Sequence, residues 1–174
     1  MRHLKSLQRA LMISCCLLLL SCAPPPESSR MVPHLDYASY KNTGYSLKIA
    51  PVGGGDETTN SISRIDNDHL FGALTETLTR SNLFTNLNQS NSYDYELRTQ
   101  IISQKLKPGM TAYAALYVSY ALVDVKKDHI VWQEKIFTQN DAFGANQGKD
   151  ALEGVARVNL EQLVEKLAVV FEKI

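Results

Sequence analysis

Beyond position 22 this chain has no cysteine: Cys15, Cys16 and Cys22 all lie in the first 22 of its 174 residues. Any domain built from the remainder lacks a disulfide, a thiolate nucleophile and a cysteine metal ligand. Charge of neither sign dominates, because 18 Lys+Arg face 18 Asp+Glu. That balance argues against a nucleic-acid protein, which carries a basic excess on its binding face. Apart from one apolar run near the N-terminus, no segment approaches the 18 residues that a membrane-spanning helix needs, so the rest is expected to be a soluble domain. At 44% hydrophobic residues the chain is too apolar to be disordered. There are no internal repeats.

The apolar run is an address. Arg2, Lys5 and Arg9 form a basic head, and Ala10 to Leu20 follows with one polar member, Ser14. These 11 residues have the length of a signal-peptide core and are too short to cross about 30 Å of hydrocarbon. Leu19-Leu20-Ser21-Cys22 then resembles the lipobox of bacterial lipoproteins: a branched apolar residue at −3, a small one at −1, then the cysteine. In that family a diacylglyceryl group joins the cysteine thiol, the peptide is cut before it, and the new amine is acylated. The resemblance therefore implies residues 1–21 as signal peptide, Leu19, Leu20 and Ser21 as the peptidase recognition residues, and Cys22 as the lipid-attachment site. The acyl chains, palmitate among them, would be its covalent attachment, and no cofactor is expected. Ala23, where an Asp favours inner-membrane retention, points to the periplasmic side of the outer membrane. Removing residues 1–21 leaves 153 residues with 15 basic against 18 acidic, a net charge of −3.

Ala23 to Thr43 is rich in Pro and Ser and reads as a tether, with Pro24-Pro25-Pro26 in polyproline II; Tyr37 and Tyr40 are able to pack onto the domain instead. The expected organisation is a lipidated tether over 22–44 and a single domain over 45–174. Within it, Leu47 and Ile49 alternate in a short strand stopped by Pro51 and Gly53-Gly54-Gly55. Leu70, Ala73, Leu74, Thr77 and Leu78 mark one face of a helix with an N-cap offered by Asn67-Asp68. Tyr95, Leu97, Thr99 and Ile101 alternate with polar residues in a second strand, residues 111–125 form a third, and 130–138 a fourth that carries the sole tryptophan, Trp132. The last 25 residues show a wide helical stripe from Leu152 to Phe171, with Asp150 as N-cap. The order β-α-β-β-β-α predicts an α+β two-layer sandwich: a mostly antiparallel sheet whose three later strands form a meander, with both helices on one face.

Nothing in this pattern assembles catalysis. Gly53-Gly54-Gly55 is followed by Asp56-Glu57, negative charge where a phosphate would sit, so it reads as a structural turn. Asp66-Asn67-Asp68-His69 is contiguous and reads as helix capping, since calcium loops space their ligands at alternate positions. His34, His69 and His129 are scattered without zinc spacing, and no Gly-x-Ser-x-Gly elbow occurs. The expectation is no catalytic residue and no metal site. Tyr113, Tyr117, Tyr120 and Trp132 enrich the central hairpin; most fit core or cross-strand pairs. Tyr113 and Tyr117 share the face opposite Tyr120 and Leu122, and they are the candidate partner-binding residues.

Val52-Gly53-Gly54-Gly55, Phe71-Gly72-Ala73-Leu74, Leu78-Thr79-Arg80-Ser81-Asn82-Leu83-Phe84, Val118-Ser119-Tyr120-Ala121-Leu122-Val123-Asp124 with Val131-Trp132, and Glu153-Gly154-Val155-Ala156-Arg157-Val158-Asn159-Leu160 together resemble a group of small, largely uncharacterised bacterial envelope lipoproteins. The strand-helix-strand opening is also similar in architecture to auxiliary lipoproteins of lipopolysaccharide-assembly and penicillin-binding-protein-activator type. A small tethered domain without a catalytic constellation, together with these likenesses, leads to the expectation of a non-enzymatic accessory protein that is anchored in the outer membrane, faces the periplasm and binds an envelope protein complex; the balanced charge leads to the expectation of no nucleic-acid partner. The alternative is a carrier or sensor of a lipid or other amphiphile in a groove between helix and sheet.

Overall fold

A computed structural model describes residues 26–55, 64–88 and 92–173. The elements run α1 (Ser28–Met31), a 3-10 turn (Tyr37–Ser39), β1 (Ser46–Ile49), α2 (Asn67–Ser81), β2 (Asn86–Leu87), β3 (Tyr95–Lys107), β4 (Thr111–Asp124), β5 (His129–Phe143) and α3 (Gln147–Phe171). Five strands form one sheet in the order β2-β1-β3-β4-β5. β3, β4 and β5 are the expected antiparallel meander, whereas β1 runs parallel to both β2 and β3. The sheet is therefore mixed. Of its two parallel pairs, β1–β2 arises because α2 returns the chain to the β1 edge, and a helical crossover is how parallel strands are joined. The two-residue β2 falls inside a segment read from sequence as loop, since so short a strand leaves no alternation to detect.

Both long helices use one apolar face against one side of this sheet. Leu70, Ala73, Leu74 and Leu78 of α2 join Leu152, Val155, Leu160, Leu163 and Leu167 of α3 in a single core with Leu47, Leu97, Leu116 and Leu122 from the strands. Phe171 closes one end of it, with its ring centroid 5.2 Å from Phe84, 5.2 Å from Tyr95 and 5.7 Å from Tyr45. The cap of α2 is Asp66, one residue earlier than the sequence suggests: its carboxylate accepts the His69 N–H at 2.7 Å and lies 2.6 Å from Nδ1 of the same residue. Asp150 is not the cap of α3. The helix begins three residues sooner, at Gln147, and Asp150 in its first turn pairs with Arg30 at 3.3 Å.

Gly54 shows why three glycines follow β1. Its φ is +87°, and a Cβ there would stand 2.2 Å from the Ile101 carbonyl oxygen. The turn thus lets Gly53 continue the pairing with β3, donating to Thr99 O at 3.1 Å and accepting from Ile101 N at 2.8 Å. A bulge at Ile101/Ser103 then reverses the phase of β3. Gln104 turns inward as a result, and its side chain satisfies both backbone groups of buried Ile65, at 3.0 and 2.9 Å.

Of the predicted tether, the part from Pro26 onward is packed against the domain. Met31 is fully buried in the core and Val32 nearly so. A charged latch holds this strap to the start of α3. Glu153, 1% exposed, accepts the Glu27 N–H at 2.9 Å, and Arg30 Nε stands 3.0 Å from its other oxygen as an ion pair outside hydrogen-bond alignment. Lys149 donates to Glu27 at 2.5 Å, and Arg157 donates twice to the Arg30 carbonyl, at 3.1 and 2.6 Å. A buried carboxylate is tolerated only with such partners. Glu153 lies within the helical stripe itself, which is why periodicity alone does not reveal the latch.

Asp94 ties the start of β1 to the sheet. It accepts from Lys126 at 2.8 Å, and from the Ser46 N–H and hydroxyl at 3.0 and 2.8 Å. The Lys126 ammonium first, then the two Ser46 bonds, hold its pKa at about 2, against an ordinary 3.8. Because the folded value is the lower one, this stabilisation is complete above the unfolded pKa and is lost as pH falls towards about 2. After screening of this partly exposed group it amounts to about 1–2 kcal/mol. Urea unfolding of wild type and Asp94→Asn should therefore differ at about pH 6 and converge near pH 2; a pH-independent difference would contradict the assignment.

Candidate functional site

The helices cover one face of the sheet, and among the described residues none covers the other. Along β4 the burial alternates: Leu116, Val118, Tyr120 and Leu122 point to the helices, while Tyr113, Tyr117, Ser119 and Ala121 lie on the outer face, each half-buried. The sequence expectation that Tyr113 and Tyr117 oppose Tyr120 and Leu122 corresponds to this arrangement.

The sheet does not bring the two tyrosines together. They lie four residues apart on one strand, about 13 Å, and each has its own neighbours. Tyr117 sits opposite Phe137 of β5, ring centroids 6.2 Å apart and nearly perpendicular. Such edge-to-face pairs on adjacent strands stabilise a sheet surface. Phe137 is nevertheless 53% exposed, and Ile130 on the same strand is about as open. Tyr113 sits opposite Asp141 and Lys107, with the Lys107 ammonium 5.8 Å from its ring centroid. Phe137 is a residue that sequence reasoning missed; its alternation with Ile136 and Thr138 was the available signal, but β5 has too few apolar residues to show which face is inner.

The rest of the outer face is polar and charged. On β3, Glu96 pairs with Arg98 at 2.6 Å and with Lys48 of β1 at 2.9 Å. The hydrogen bonds from Arg98 and then Lys48 hold its carboxyl below the usual range. Beside this trio an open trough of about 420 Å³ is lined by Pro51, Arg98, Gln100, Ser119, Ala121 and Gln133. Along the outer edge of β5 a second, larger groove of about 910 Å³ runs against α3. Val131, Trp132, Val169 and Val170 line it, with Glu134 paired to Lys166.

Among the described residues no group of three or more His, Cys, Asp or Glu is placed to hold a metal, and no helix is long and apolar enough to cross a membrane. Leu19, Leu20, Ser21 and Cys22 lie outside the described residues. Asp66 and His69 are joined as a helix cap.

No protein-family model and no curated protein matches the sequence. Solved structures do match the fold. A Xanthomonas campestris protein of the DUF330 family aligns with a TM-score of 0.63 at 10% identity, over 82% of this chain and 92% of its own. A hypothetical protein from Chlamydia trachomatis aligns with a TM-score of 0.60 at 11% identity, over 74% and 98%. The PelC dodecamer from Paraburkholderia phytofirmans aligns with a TM-score of 0.53 at 16% identity, over 72% and 92%. At these identities the likeness is one of fold: an α+β sandwich that spans most of each bacterial protein and about three quarters or more of this chain.

Proposed function

We propose that this chain is a non-enzymatic accessory protein of the bacterial envelope, held on the periplasmic side of the outer membrane by acyl chains on Cys22, whose open sheet face binds an envelope protein complex. The observation that carries the proposal is that uncovered face, on which the Tyr117–Phe137 pair stands exposed between the Glu96 charge trio and the tyrosine at position 113. A half-exposed aromatic pair with a polar surround has the composition of a protein-binding patch. The N-terminal address supports the location. The architectural resemblance of the strand-helix-strand opening favours a complex of the lipopolysaccharide-assembly or penicillin-binding-protein-activator kind.

The test is a photo-crosslinking amino acid at Phe137 in living cells, with Gln162 on the helix side as control. A discrete adduct from position 137 supports the proposal, and its absence under several growth conditions counts against it. PelC, of the same fold, is a dodecamer, so an adduct at twice the mass of this chain would assign the face to self-assembly instead.

The groove beside Trp132 favours a second reading, a carrier of an amphiphile. The interior between helices and sheet is filled by side chains such as Leu97, Leu116 and Leu160, so the space lies at the open β5 edge. Trp132 is the only tryptophan, and its emission reports directly on occupancy. Saturable blue-shifted emission with a lysophospholipid below its micellar concentration would support this reading, and unchanged emission would retire it.

A further inference from the structure

Resting on the lipid-anchor proposal, we propose that one end of the sheet, formed by the β3–β4 turn and the β5–α3 loop, lies on the phospholipid surface, with Met110 and Phe143 in its interfacial layer. These are the two most exposed large apolar side chains among the described residues, at 97% and 74%. They sit together: Thr111 pairs with Phe143 in register, and the Gln147 side chain donates to the Gly109 carbonyl. Lys107 of β3 and Asp141 of β5 lie two residues farther along, both opposite Tyr113, and Lys105 lies two residues beyond Lys107.

The strap brings the anchor to this same end. Glu27 is bonded to Lys149 and Glu153, and Arg30 to Asp150, so the strap is fixed on the first turns of α3, the helix whose first residue holds Gly109. At about 1.5 Å per residue, Lys149 and Glu153 lie about 3 and 9 Å along α3 from Gln147, so the strap is held at the same end of the domain as the turn. Cys22 precedes the first described residue, Pro26, by four residues, a reach of at most about 14 Å. A lipidated Cys22 cannot hold the domain at the end of a long tether. It draws the strap, and with it Met110 and Phe143, to the depth of the headgroups, where apolar side chains with lysines beside them are favoured. Acyl chains plus such a contact fix orientation as well as attachment. β4, 14 residues long, then stands away from the membrane, placing the β4–β5 turn about 45 Å off and the outer sheet face upright and accessible to a protein partner.

The experiment uses the full chain, purified from membranes and reconstituted in phosphatidylethanolamine and phosphatidylglycerol vesicles. A single environment-sensitive fluorophore is placed at Met110→Cys, Phe143→Cys or, at the far end, Lys127→Cys. Brominated acyl chains should quench the probes at 110 and 143 strongly and leave the probe at 127 unquenched. Intact mass of the same preparation reads acylation of Cys22. Acylated protein with equal quenching at all three positions, or with none at 110 and 143, overturns the surface contact alone. A bare Cys22 overturns the anchor and, with it, the contact built on the anchor.

Discussion

If Cys22 is the proposed lipid anchor, Cys22→Ser is expected to abolish acylation, leave residues 1–21 attached and remove the protein from the outer-membrane fraction. Serine has no sulfur to form the thioether that attachment requires, and its hydroxyl, unlike a thiol, supplies almost no anion as nucleophile near neutral pH. In the lipoproteins that Leu19-Leu20-Ser21-Cys22 resembles, cleavage follows lipidation, so the uncleaved chain should keep its basic head and short apolar run. Each methylene buried in the bilayer contributes about 0.8 kcal/mol, and loss of two or three chains removes the whole of that attachment. Intact mass, palmitate labelling and density-gradient fractionation of membranes check the outcome together. Normal outer-membrane fractionation of the variant would refute the lipid-anchor proposal.

Asn159→Leu should be the most damaging single substitution on the helix side, lowering stability by about 2–4 kcal/mol. Asn159 is fully buried on α3. Its oxygen accepts from Tyr120 Oη at 2.7 Å, and its Nδ2 donates to the Ile136 carbonyl at 3.2 Å and to Thr138 Oγ1 at 3.1 Å. Thr138 in turn donates to the Val155 carbonyl at 3.1 Å. Leucine fits the volume but leaves a buried hydroxyl donor and a buried carbonyl without their partner, and an unmade buried bond costs more than a made one contributes. Tyr120→Phe removes one partner only and should cost about 1–2 kcal/mol. The double variant should cost less than the sum, because each single change strands the same bond. Chemical denaturation of the four proteins gives the coupling directly, and strict additivity would show that the network does not act as a unit.

The helix stripes and the alternation of β3 and β4 were legible because each element buries one face only, and a buried face imposes its period on the residues. The inner and outer assignment of Tyr120 against Tyr113 and Tyr117 followed from the same rule. β5 extends five residues past the predicted end at 138, since Gln139-Asn140-Asp141 is a polar run that leaves no apolar period. The parallel pairing of β1 had no local signal, because register with β3 is set by where α2 returns the chain. The exposed Phe137 and the trough beside Arg98 depend on which residues of three strands come into line, and that is a property of pairing.

Two kinds of knowledge meet at the N-terminus. The lipobox-like pattern of residues 1–22, the absence of later cysteines and the one-sided helices are written in composition and spacing, because each depends on residues adjacent in the chain or one turn apart. What becomes of residues 26–44 is not. Pro24-Pro25-Pro26 and the polar stretch after it have the composition of a free tether, yet Met31 reaches the core and Glu27 and Arg30 meet Lys149, Asp150 and Glu153 more than a hundred residues away. Burial of one methionine and compensation of one carboxylate by partners distant in sequence turn a tether into a strap. That conversion sets how far the domain can stand from the proposed anchor at Cys22, since the reach of a chain depends on where it is next held.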